Sequence, residues 1–119
     1  QIGPHNLLVS QVGLAGSCST GAYVVLAGQA GIADHVHLGD GAIIGAKSGV
    51  HRDMPGGKTY LGSPATEAAE QARIVTSLRR LPQMRKTIKE LQEQVATLQA
   101  QLTQAIDLLG DRNASREAA

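Results

Sequence analysis

The sequence predicts an all-β solenoid followed by a helical extension, and three observations carry that prediction. Aliphatic residues occupy eight of nine positions spaced by six from Ile2 to Val50, Phe and Trp are absent, and beyond Thr66 the apolar period changes to steps of three and four. A six-residue period does not fit a helix of 3.6 residues per turn. It suits short strands, whose side chains alternate between two faces. Fixed repetition of this kind marks a stacked solenoid.

The hexads begin at Ile2, Leu8, Leu14, Thr20, Leu26, Ile32, Leu38, Ile44 and Val50, and only Thr20 is not aliphatic. The fifth position of each hexad is small or β-branched in most repeats, as at Val12, Cys18, Val24 and Ala30. Both positions are expected to face inward. Three hexads close one triangular coil, so residues 2–19, 20–37 and 38–55 read as three stacked coils. Such a narrow interior fills with Ile, Leu, Val and Ala, which explains how the chain manages with Tyr23 and Tyr60 as its only aromatics. The many glycines are expected at coil corners, where turns need positive φ.

The solenoid, residues 1–57, is predicted to end near Met54, where Asp53-Met54-Pro55-Gly56-Gly57 breaks the lattice. Residues 58–65 read as a short exit strand, Lys58 to Leu61, and a loop, Gly62-Ser63-Pro64-Ala65. A helix is expected over 66–110, with Glu67 and Glu70 complementing its dipole and Pro82 kinking or restarting it. Its seam runs Leu81, Met84, Ile88, Leu91, Val95, Leu98, Leu102, Ala105, Leu109. Four heptads of that spacing predict a coiled coil, the alternative being a single amphipathic helix folded back on the solenoid. Gly110 is expected to stop the helix and leave 111–119 as a disordered tail.

The net charge is +1, so no whole-chain field argues for nucleic acid. Lone Cys18 excludes an internal disulfide, and its inward position reads as a small buried hydrophobe. No signal peptide or transmembrane-length apolar run is present, which makes a cytoplasmic protein the expectation. The chain begins in phase with the hexads and without Met, so it reads as the C-terminal fragment of a longer β-helix.

Three stretches narrow the function: Gln11-Val12-Gly13-Leu14-Ala15-Gly16-Ser17, Gly28-Gln29-Ala30-Gly31-Ile32-Ala33-Asp34-His35, and Gly62-Ser63-Pro64-Ala65 followed by Leu78-Arg79-Arg80-Leu81-Pro82. From Gln1 to about Leu102 the sequence resembles the C-terminal half of the UDP-3-O-acylglucosamine N-acyltransferases of lipid A biosynthesis. The resemblance implies a left-handed parallel β-helix, a homotrimer, and transfer of a 3-hydroxyacyl group from acyl carrier protein to the 2-amino group of UDP-3-O-acylglucosamine. No cofactor is implied. The family's general base would lie three residues before Gln1, so the role is not given to His5, and the fragment alone is expected to be inactive.

By resemblance, Gly16 supplies a backbone N–H to the thioester oxyanion and His35 hydrogen-bonds substrate. Arg52, with Lys47, is the expected contact for the acidic carrier protein, and Arg79, Arg80, Arg85, Lys86 and Lys89 add positive charge. Gly49 is expected at the end of the acyl channel. His35-Val36-His37 raises the question of zinc, but a third ligand is lacking and no metal site is expected. Two other readings compete: a related UDP-N-acetylglucosamine O-acyltransferase, which the heptad tail argues against, and a non-catalytic trimeric scaffold.

Overall fold

The computed structural model describes residues 1–118. Among them, eight two-residue strands alternate with corners: β1 (Leu7–Leu8), β2 (Gly13–Leu14), β3 (Ser19–Thr20), β4 (Val25–Leu26), β5 (Gly31–Ile32), β6 (His37–Leu38), β7 (Ile43–Ile44) and β8 (Gly49–Val50). Then come β9 (Thr59–Leu61), β10 (Thr66–Glu67) and helix α1 (Ala68–Ala118). The strands stack in parallel on three faces. The first sheet runs β1-β4-β7-β9 with β10 beyond, the second β2-β5-β8, and the third β3-β6. Leu8 lies over Leu26 and Leu26 over Ile44, a register of 18 residues. The protein is thus a parallel β-solenoid of about three turns followed by a single helix.

The core is the inward lattice predicted from the hexads. Val24, Leu26, Leu38, Ala42, Ile44 and Val50 are fully buried, and Cys18 lies among them. Burying each of the larger aliphatic chains is worth about 1.5–3 kcal/mol. The one polar hexad start is satisfied: the Thr20 hydroxyl accepts from the Gly3 N–H at 3.0 Å and from Asn6 Nδ2 at 2.6 Å. Asn6 Oδ1 in turn accepts from the Val24 N–H.

The solenoid does not end at Met54. Met54 bridges Leu38 and Tyr60 pairs with Ile44, so the stacking continues with two residues fewer per coil. The Gly49 N–H donates to Gly62 O, and Ala65 N–H donates to Gly49 O. Tyr60 and Ala65 are buried, and the Tyr60 hydroxyl donates to Pro55 O at 2.8 Å. The exit segment is therefore a shortened fourth coil. Thr66 and Glu67 leave the expected helix to pair with β9 as antiparallel β10.

Glycine does not serve the corners as expected. In the six-residue corner series the positive-φ positions are His5, Gln11, Ser17, Tyr23, Gln29, His35 and Lys47, with Gly41 the one glycine, and Gly57 and Gly62 take positive φ only in the exit segment. Each such non-glycine costs about 1–2 kcal/mol. The stacking of coils supplies compensation: Gln29 Nε2 donates to Gln11 Oε1 at 2.6 Å, and His5 stacks on Tyr23 with centroids 4.9 Å apart. Gly39 is required for another reason. A Cβ there would run into the Gly56 backbone of the coil above.

Gln1–Thr76 forms one compact unit and the helix beyond Ser77 the second. Pro82 lies within α1, which continues past it despite a lost hydrogen bond and a ring clash with the preceding turn that together cost about 3 kcal/mol. Gly110 does not stop α1 either. Its cost is about 1 kcal/mol, and Arg112, Ala114, Arg116 and Glu117 are adequate helix formers. The expected tail is helical to Ala118, and Ala119 lies outside the described residues. No residue of α1 is buried, and the seam from Leu81 to Leu109 is exposed. Among the described residues no helix is long and apolar enough to cross a membrane.

Candidate active site

The outer surface of the second sheet is almost without side chains. Gly13 pairs with Gly31 and Gly31 with Gly49, giving a glycine ladder up the stack. Beside it run Ala15, Ala33 and His51, and together these residues floor a shallow trough of about 450 Å³. A Cβ added at Gly13 or Gly31 would meet nothing within 4 Å. The other two faces differ. The first presents Leu7 and Ile43, and the third presents Ser19 and His37, whose Oγ and Nδ1 are 2.9 Å apart.

At one edge of the trough the chain turns through Gly16-Ser17 and, one coil on, Asp34-His35. Ser17 and His35 carry the positive φ of these corners. Gly16 therefore is not the residue that needs glycine for the turn, and a Cβ on it would meet nothing within 4 Å. Among the described residues its N–H donates to no backbone acceptor, a property it shares with other corner positions such as Asp34. Its carbonyl accepts from the His35 N–H at 3.2 Å. The His35 ring is exposed, with Nδ1 3.2 Å from Asp34 Oδ2, which favours the tautomer presenting Nε2 as acceptor. The corner thus offers a free backbone donor and an oriented imidazole beside an open apolar channel. Such a pair suits stabilising an oxyanion and binding a hydroxyl or amine.

Arg52 follows His51 and shares this corner, whereas Lys47 sits in the column of Gln11 and Gln29 at the opposite edge. The two expected carrier contacts are therefore separated by the trough. Gly49 does line the trough, and a Cβ there would lie 2.6 Å from Ser63 Oγ, so a larger residue would require the Ser63 side chain to shift. His35 and His37 diverge: the ring of one meets Asp34, that of the other Ser19. Gly13, Gly31, Ala15, Ala33 and His51 have no site role in the sequence reading, although all but His51 lie in the resembling stretches; their signal is the 18-residue spacing of Gly13, Gly31 and Gly49, which hexad phase alone does not mark.

No protein-family model matches the chain. Curated relatives do. It is 45% identical over 78 residues to the UDP-3-O-acylglucosamine N-acyltransferase of Wolinella succinogenes, covering 66% of this chain and 24% of that protein. The enzyme of the same name from Helicobacter hepaticus is 44% identical over 80 residues, with 67% and 24% covered. That of Campylobacter concisus is 49% identical over 75 residues, with 62% and 24% covered. The chain therefore spans about a quarter of the length of these relatives. Among solved structures, PerB from Caulobacter crescentus, crystallised with CoA and GDP-perosamine, is 30% identical with a TM-score of 0.44, over 56% of this chain and 29% of its own.

Proposed function

We propose, from the premise that this chain is a relative of the UDP-3-O-acylglucosamine N-acyltransferases over two thirds of its length, that it forms the acyl-binding part of such an enzyme. The reaction is amide formation. The 2-amino group of UDP-3-O-acylglucosamine attacks the thioester of a 3-hydroxyacyl carrier protein, the carbonyl becomes an oxyanion, and the carrier thiol leaves as the amine loses a proton. The Gly16 N–H donates to the oxyanion, and His35 hydrogen-bonds the substrate. The amine proton passes to a general-base histidine of the full-length enzyme, a role not given to His5. The acyl chain lies along the Gly13–Gly31–Gly49 trough. Arg52, on the site's own corner, meets the acidic carrier, with Lys47 a more distant contact. The working form is a homotrimer, a reading supported by the exposed apolar seam of α1 and by exposed Leu7 and Ile43 on the first sheet, and its proposed location is the cytoplasm.

The observation that carries this reading is Gly16: a corner glycine that neither φ nor packing requires, beside His35 and a trough floored by a glycine ladder. The test is acyl transfer by the full-length protein, supplied with 3-hydroxyacyl carrier protein and UDP-3-O-acylglucosamine. Amide product is expected, falling on the order of 100-fold in His35→Ala. No product from folded protein would overturn the reading.

A further inference from the structure

The seam of α1 assigns every helical residue a heptad position. With Leu81, Ile88, Val95 and Leu102 at a, and Met84, Leu91 and Leu98 at d, Arg80 falls at g and Arg85 at e. In a parallel coiled coil the g residue of one helix faces the e residue five places on in its neighbour, and these positions set partner choice. Arg80 therefore faces the neighbouring copy's Arg85. Farther along, the corresponding positions are Thr87 with Gln92 and Gln94 with Gln99, all uncharged. One step of the seam alone sets like charges opposite each other.

Nothing nearby neutralises it. No acid occurs between Ser77 and Lys89, and the first, Glu90, lies 4.0 Å from Lys86 Nζ. Among the described residues neither Arg80 nor Arg85 makes an ion pair. Two facing guanidinium groups repel in chloride, yet their planar forks match the geometry of a phosphate group. We infer that an oxyanion of the phosphate class binds between Arg80 of one copy and Arg85 of the next, and that parallel association of α1 tightens when it does. This site rests on the reading that α1 self-associates. Its ligand is free phosphate or the phosphate groups of a nucleotide.

The experiment is sedimentation equilibrium of the full chain at matched ionic strength in chloride, in inorganic phosphate and in uridine diphosphate, for wild type and Arg85→Glu. Phosphate is expected to tighten wild-type association about tenfold, the combined effect of several exposed pairs. Arg85→Glu, which turns the step into an Arg–Glu pair, is expected to associate tightly in chloride and to ignore both anions. A wild-type response to both anions makes any phosphate group the ligand, and a response to uridine diphosphate alone makes it a nucleotide. Association that is indifferent both to anion and to Arg85→Glu overturns the oxyanion site while leaving the self-association reading standing. A helical chain that stays monomeric in every buffer, Arg85→Glu included, overturns both.

Discussion

The solenoid and the helix beyond Ser77 carry equally regular apolar patterns and use them in opposite ways. Leu26 and Ile44 are wholly buried by coils of the same chain, whereas Leu98 and Leu102 on α1 keep more than half their surface exposed. A period of six closes on itself, because each coil is the partner of the next. A heptad seam has no such partner within one helix, and its burial between copies of α1 is the reading proposed above. Regular apolar sequence therefore predicts burial, but only the period says whether that burial is within the chain or between chains.

The largest effect that would sharpen this contrast is in the core. Ile44→Ala should cost about 2–5 kcal/mol in chemical unfolding followed by far-UV circular dichroism. Unfolding at the wild-type denaturant concentration would break the picture of a tightly stacked interior. Next come two glycines on different faces. Gly39→Ala drives a Cβ into the Gly56 backbone and should destabilise by about 1–3 kcal/mol, whereas Gly31→Ala has open space and should be near neutral by the same assay. Equal costs would remove the trough's claim to be empty for a reason other than packing. On the helix, Leu98→Asp should leave solenoid unfolding unchanged while abolishing, in sedimentation, the self-association proposed for α1. Loss of solenoid stability in that variant would contradict the division of labour.

The smallest effect is electrostatic. Lys58 donates to Glu67, and that hydrogen bond holds the ammonium above its ordinary value of 10.5. A folded value above the unfolded one means the contribution is complete below pH 10.5 and fades as pH rises through the raised value. Glu67→Gln should remove this slight alkaline loss from the melting profile and leave neutral stability nearly unchanged.

Much of the interior was legible because inward residues are fixed by strand alternation. Cys18, Leu26 and Val36 could be placed from hexad phase alone. The corner chemistry was not legible. Which residue takes positive φ depends on the turn, and here His5, Gln29 and His35 take it while Gly16 does not. The fourth coil was hidden because its register shortens by two residues, so Met54 and Tyr60, in the phase of the hexads' fifth positions, stack on the first-position residues Leu38 and Ile44. Gly16 and His35 are marked by resemblance, and the ladder that gives them a setting exists only between coils eighteen residues apart, where Gly13, Gly31 and Gly49 stack.

The most direct test of the site uses a precedent inside the chain. Pro4 precedes positive-φ His5 just as Gly16 precedes positive-φ Ser17, and proline is favoured at that position of such turns. Gly16→Pro should therefore fold like wild type while losing the one N–H assigned to the oxyanion. Acyl transfer by the full-length protein carrying Gly16→Pro should fall about 10²–10³-fold in kcat at unchanged melting temperature. Wild-type turnover from that variant would contradict the placement of the oxyanion at this corner.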